Sequence, residues 1–300
     1  MIKDRNIADD ANIQLHKLAS GSGGISTMLR HDSYAYYVDG RYGNDNNSGR
    51  SKDQPFATVA QAITATNARI NWSNSPWANG DVIYIAPGVY AENLTSLPHG
   101  TTMIGLGDAH DGDGENGVKI KPASGAPVDV DTFINAKIFN VAFESADTSR
   151  VFDAAVLNNA QLVHCVFKGA PEATTSTAGI YTNDSVNLTI EDCRIMYVDC
   201  GIDFVYADAD DSVTRALIKN NYMTYMSEAG IRVSANLVSP ASLIVGNYIC
   251  QGSTTLAIGI DLNHTNTIGI YDNRITASEG IQGDDLGTYV GGNYCNGVLE

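Results

Sequence analysis

"IKNNYM" (218–223), "IVGNYI" (244–249) and "IYDNRI" (270–275) are one phrase written three times. Four further copies flank them: "IFNVAF" (138–143), "LVHCVF" (162–167), "IEDCRI" (190–195) and "VGGNYC" (290–295). Aligned on the fourth residue they give the column Val141, Cys165, Cys193, Asn221, Asn247, Asn273 and Asn293, at intervals of 24, 28, 28, 26, 26 and 20 residues. A period in this range belongs to stacked repeats, in which each unit buries its apolar face against the next.

The columns of the phrase have separate physical meanings. Its first residue is aliphatic in every copy, and its sixth is apolar in every copy. Residues four and six share parity and point to one side of a strand, whereas residue one has the opposite parity. All three face inward only if the chain bends between them. The third residue supplies the bend: Asn140, His164, Asp192, Asn220, Gly246, Asp272 and Gly292 are types that tolerate positive φ. Strand, left-handed corner and strand, repeated rung upon rung, describe a parallel β-helix. Asn221, Asn247, Asn273 and Asn293 are then expected to stack as an amide ladder at the strand spacing of about 4.8 Å.

Gly-Ile recurs at 179–180, 201–202, 230–231, 259–260 and 280–281, each time after a ladder position. It marks the next strand of each rung, and the uneven interval is expected to be a loop, longest at 167–179. A β-sandwich would also show frequent turn signals, but it has no reason to keep two columns in phase.

Upstream, "YVDGRYGNDNNSGRSKDQPFATVAQAI" (37–63) and "GDVIYIAPGVYAENL" (80–94) run from turn chemistry through a helix pattern into two strands. The Asp, Asn and Gly of the first part suit either a bound cation or a turning chain. Phe56, Val59, Ala60 and Ile63 have the spacing of one helix face. A face of that kind can cover the open end of a solenoid, which otherwise exposes apolar surface and unpaired strand edges. These two stretches resemble the N-terminal entry of pectin-lyase-like right-handed parallel β-helix proteins. The resemblance implies an all-β solenoid with an N-terminal capping helix, preceded here by a short extended arm. The chain divides into a docking arm and linker (1–33), a loop and helix cap (34–80) and the β-helix (81–300).

The arm has a pattern of its own. Asn6-Ile7-Ala8, Ala11-Asn12-Ile13 and Lys17-Leu18 resemble short elements near the ends of bacteriophage virion proteins, tail-fibre proteins among them. Ile7, Ala11, Ile13, Leu15 and Leu18 lie in a polar segment too small to form a core, followed by the linker "SGSGG". The resemblance implies docking on a major capsid or other virion protein, placement at the virion surface after assembly in the host cytoplasm, and a homotrimer.

Composition narrows the partners. A net charge of −16 disfavours nucleic acid and anionic membranes. No stretch approaches the roughly 18 apolar residues of a membrane span, and "MIKDRNIADD" leads into no apolar signal segment. Cys165, Cys193, Cys200, Cys250 and Cys295 are odd in number and lack zinc spacing. They are expected to be buried thiols.

No catalytic residues emerge. Hydrolytic β-helices need two carboxylates on one patch, and the sets that lyases, hydrolases and esterases of the resembled family use are missing. Asp208, Asp210, Asp211, Asp284 and Asp285 read as solvated turns. Asp108, Asp111, Asp113 and Glu115 in "DAHDGDGENG" suit either a plain acidic loop or a structural Ca²⁺ site. Trp72 and Trp77 suit packing on the cap or stacking on a surface glycan. The expectation is a non-enzymatic virion structural protein without a cofactor, serving capsid decoration or stabilisation or forming a head fibre, with a tailspike-type receptor-binding protein or polysaccharide depolymerase as the alternative.

Overall fold

The computed structural model describes residues 34–69, 80–109, 116–170, 176–205, 212–234, 241–251, 255–262, 268–283, 289–296 and 298–299. The chain winds as a parallel β-helix. One sheet takes one strand from each rung, ten in all, running from Ala35–Val38 and Val82–Ile85 to Ile268–Tyr271 and Tyr289–Gly291. A second sheet of seventeen strands wraps the remaining faces. Among the described residues, only Tyr294–Cys295 with Val298–Leu299 pairs antiparallel.

The corners fall where their residue types permit. Asn140, His164, Asp192, Asn220, Asp272, Gly246 and Gly292 all have φ between 53° and 69°. Each bend turns the aliphatic first column and the apolar sixth column to one interior. Ile138, Leu162, Ile190 and Ile270 are fully buried, as are Phe143, Phe167, Ile195 and Ile249. Each such side chain contributes about 1.5–3 kcal/mol by leaving water. Val290 departs from its column at 39% exposure and lies in the last described strand of its sheet.

A second left-handed column, unseen in the sequence, runs through Asn135, Asn159, Asn187, Arg215 and Ala241. Its first three members form an outer ladder, with Asn159 Nδ2 donating to Asn135 Oδ1 at 2.9 Å and Asn187 Nδ2 to Asn159 Oδ1 at 2.6 Å.

The Gly-Ile strands stack in register, with Ile180, Ile202, Ile231, Ile260 and Ile281 on successive rungs. Glycine is needed there because the rungs touch. A Cβ on Gly230 or Gly259 would lie 2.5 Å from the carbonyl oxygen of the next glycine in the column. The expected intervening loop is replaced in two rungs by continuous strand, Arg194–Phe204 and Tyr222–Val233. There the chain absorbs its bend at a single residue, Tyr197 (φ 59°) or Tyr225 (φ 57°).

Helix α1 (Val59–Arg69) covers the first rung. It buries Val59, Ala62, Ile63 and Thr66, whereas Ala60, expected on this face, is exposed. Phe56 precedes the helix, so the buried face runs through 59, 62, 63 and 66 and leaves Ala60 outside it. The acidic and amide side chains of the preceding loop serve the turn. Asp45 accepts from the N–H groups of Ala57 at 2.8 Å and Thr58 at 3.0 Å. Glu92 accepts from Val59 at 2.9 Å and Ala60 at 2.8 Å, satisfying the open N–H groups of the first turn. Strand Ala35–Val38 pairs with Val82–Ile85, so the first rung begins inside the segment assigned to the cap. Buried Asp81 ties the two together through Arg69 and the N–H of Tyr34.

Candidate functional site

The residue after each Gly-Ile points outward, and these residues form a polar column. In register from rung to rung, and extended by Asp129 and Asp153 on two rungs that lack Gly-Ile, it reads Asp129, Asp153, Tyr181, Asp203, Arg232, Asp261 and Gln282. Its register follows from the glycines, which let the backbones pack closely and hold the next two residues in line.

Charge alternates along the centre of this column. Asp203 Oδ2 lies 3.9 Å from Arg232 Nη1, and Arg232 Nη2 is 2.6 Å from Glu228 Oε2. Lower down, Arg150 Nη1 donates to Asp153 Oδ2 at 2.8 Å, and the same guanidinium lies 3.2 Å over the Tyr181 ring. Asp203 and Asp261 are each 8% exposed. A cavity of about 400 Å³ opens beside Arg232 and Asp261, one rung on from Asp203, lined also by Ser227, Glu228 and Ser234 among others.

Burial sets the proton affinities. Asp203 is pushed above the ordinary aspartate range by loss of water, with the Arg232 charge opposing. Asp153 is raised in the same way, against Arg150. Oδ1 of Asp203 has no hydrogen-bond partner among the described residues. A carboxyl that holds its proton to higher pH, beside an arginine and a groove, has the attributes of a general acid or a hydroxyl-binding group. Asp203 and Asp261 stand two rungs apart, roughly 9.6 Å along the backbone ladder. The same alternation also balances charge between neighbouring strands.

The interior ladder is continuous. Asn221 Nδ2 donates to Asn247 Oδ1, Asn247 Nδ2 to Asn273 Oδ1, and Asn273 Nδ2 to Asn293 Oδ1, each at 2.9 Å. Cys193 and Cys165 continue the column with thiols directed at the carbonyl oxygens of Leu162 and Ile138. Other expected residues are not brought together. Ile7, Ala11, Ile13, Leu15 and Leu18 lie outside the described residues, as do Asp111, Asp113, Glu115, Trp72 and Trp77. So do Asp208, Asp210, Asp211, Asp284 and Asp285. Asp108 donates its N–H to Asn116 O at 2.8 Å. Among the described residues no three His, Cys, Asp or Glu side chains are placed to share a metal ion, and no helix is long and apolar enough to cross a membrane.

Sequence reasoning missed the polar column. Its signal was the variable residue behind an invariant pair: Tyr, Asp, Arg, Asp and Gln after five copies of Gly-Ile.

The family model described as "Protein of unknown function (DUF1565)" matches residues 41–298. The chain belongs to that family. No curated protein matches it in sequence. In structure it is similar to the pectin methylesterase PemA from Erwinia chrysanthemi, with a TM-score of 0.49 and 12% identity over 89% of this chain and 91% of that one. It is similar to a pectin methylesterase from Aspergillus niger at TM-score 0.45 and 13% identity, over 88% and 86% of the two chains. A GH136 lacto-N-biosidase from Eubacterium ramulus aligns at TM-score 0.29 and 13% identity, over 91% of this chain and 69% of that one. These likenesses concern the course of the chain, and no residue role is transferred from them.

Proposed function

We propose that the protein is a non-enzymatic structural component of a bacteriophage particle, a β-helical body displayed at the virion surface and carried by its N-terminal arm. The observation that supports this most is the closed N-terminal end of the solenoid. Phe56, Val59, Ala62 and Ile63 are buried over the first rung, so the loop and helix cover this end of the core. In this reading residues 1–33 serve attachment to a capsid or other virion protein, through Ile7, Ala11, Ile13, Leu15 and Leu18. Long parallel ladders with side-chain amides inside them suit a body that must stay folded outside the cell. Tyr37, Tyr84, Ile104, Phe139 and Val163 form a continuous half-buried outward column on the ten-stranded sheet. It supports a homotrimer packed through that sheet.

Co-sedimentation with purified particles tests the proposal. The full chain is expected to pellet with particles and a 34–300 fragment to stay in the supernatant while keeping its β-rich circular dichroism. Pelleting of the fragment overturns the attachment role.

One observation favours a second reading, a tailspike-type protein that grips or cleaves a surface polysaccharide: the groove beside Asp203, Arg232 and Asp261. Release of new reducing ends from host polysaccharide, abolished by Asp203→Asn, would establish it in place of the first.

A further inference from the structure

A second groove lies on a different face, where the strands after the Asn-type corners turn their side chains outward. One outward column there reads Lys119, Ala142, Val166, Arg194 and Tyr222, and its neighbour reads Glu144, Lys168 and Met196. Ala109, Ala142 and Val166 pack together as an apolar cluster separate from the core, at 3%, 6% and 8% exposure. They floor a cavity of about 280 Å³ whose walls include Glu144, Lys168, Arg194, Met196 and Tyr197.

The charges around this cavity run against those of the whole chain. Glu144, itself 6% exposed, accepts from Lys121 Nζ at 2.6 Å, and its Oε2 is 3.4 Å from the ammonium groups of both Lys119 and Lys168. Burial raises its proton affinity, but Lys121, Lys168 and Lys119 together outweigh burial and hold the carboxyl below its ordinary value. Arg194, one rung further on, is exposed to solvent. The cavity lining carries Lys119, Lys168 and Arg194 against one carboxylate, Glu144, on a chain of net charge −16.

Tyr197 supplies the remaining wall. Its φ of 59° is an uncommon conformation for an aromatic residue, and its ring stacks on Tyr225 at 4.6 Å with 17° between planes. The corresponding bend at Tyr225 is also left-handed. Backbone held in this region by its surroundings is found preferentially at binding sites.

We infer that this groove binds a single carboxylate-bearing sugar residue, its acid group among Lys168, Arg194 and the Glu144-linked lysines and its C–H face on Tyr197 and the apolar floor. Local positive charge steers a small anion to the groove, whereas the acidic body repels a long polyanion. The cavity sits just below the roughly 300–1,000 Å³ of small-molecule sites, which suits one ring rather than several. Inorganic anions satisfy the cations but leave the floor and the tyrosine unused. The inference does not depend on how the body is carried, nor on the groove beside Asp203.

Titration of the full chain with glucuronate at low ionic strength, followed by calorimetry or ligand-observed NMR, tests it, with glucose and inorganic phosphate as comparison ligands. Saturable glucuronate binding is expected, with glucose and phosphate each at least about tenfold weaker. Arg194→Glu is expected to weaken glucuronate at least about tenfold with unchanged circular dichroism. Tyr197→Asn, which keeps a residue suited to positive φ, is expected to weaken it severalfold. Glucose binding equal to glucuronate, phosphate binding equal to glucuronate, unchanged binding by Arg194→Glu, or no saturable glucuronate binding would each overturn the inference. Because Arg194 and Tyr197 lie outside the virion-docking segment, particle attachment can fail without affecting this result.

Discussion

Asn247 and Asn273 are joined twice by one oxygen: Oδ1 of Asn273 accepts from both the backbone N–H and the Nδ2 of Asn247, at 2.9 Å each. Asn221 is bound to Asn247 in the same manner, at 3.0 and 2.9 Å. The amides therefore replace the backbone partners that the left-handed corners take away, inside a core where an unmet donor is costly. Asn247→Ala would leave the N–H of Asn221 and the carbonyl of Ile218 without these partners. A loss of about 2–4 kcal/mol is expected, read by denaturant unfolding. Loss under about 0.5 kcal/mol would show that water or rearrangement replaces the ladder.

The corners can be tested apart from packing at Asp192, which is exposed and has φ 53°. Asp192→Val should cost about 1–2 kcal/mol because a β-branched side chain is strained there. Asp192→Gly should be near neutral. Equal effects from the two variants would contradict a conformational role for the column.

Acid and base act oppositely on the two outward sites. Asp203 is raised when folded, so the folded state binds more protons, and this group's contribution falls as pH rises from about 3.9 through its raised value. Glu144 is lowered, so its contribution is present above the ordinary glutamate value and disappears as pH falls through its depressed one. Asp203→Asn should leave the melting temperature at pH 7 unchanged or higher and flatten its pH dependence on the acid side. Glu144→Gln should lower stability at pH 7, with the deficit shrinking in acid. Melting curves across pH for both variants check the signs.

All five cysteines are free and buried. Burial in particular pushes the Cys193 and Cys200 thiols up, disfavouring the thiolate that alkylating reagents attack. Native protein should resist iodoacetamide at pH 8, and denatured protein should take up five equivalents, counted by mass.

If the ten-stranded sheet is the trimer contact, Phe139→Asp with Val163→Lys should convert trimer to monomer without loss of β structure. Sedimentation equilibrium reads the change. A wild-type monomer at micromolar concentration would remove the homotrimer from the account.

The solenoid was legible because burial and left-handed corners restrict residue type at fixed positions. Asn221, Asn247, Asn273 and Asn293 repeat for a reason that acts on each rung alone. The outer column of Asn135, Asn159, Asn187, Arg215 and Ala241 was hidden, since arginine and alanine are not turn formers and only the neighbouring rungs hold them there. The two grooves were illegible for another reason. Asp203, Arg232 and Asp261, like Lys119, Lys168 and Arg194, occupy variable outward positions on separate rungs and become neighbours only when the register is known. Ala60 was misplaced because the apolar spacing counted Phe56 into the helix, whereas the helix starts at Val59, where the Glu92 carboxylate, more than 30 residues away, meets its first N–H groups.

The most direct test of the central claim is immunogold electron microscopy of intact phage particles with antibody against residues 81–300. Gold at regular positions on the particle surface is the predicted result. Particles that bind no antibody, while the free protein binds it, would contradict a displayed virion component.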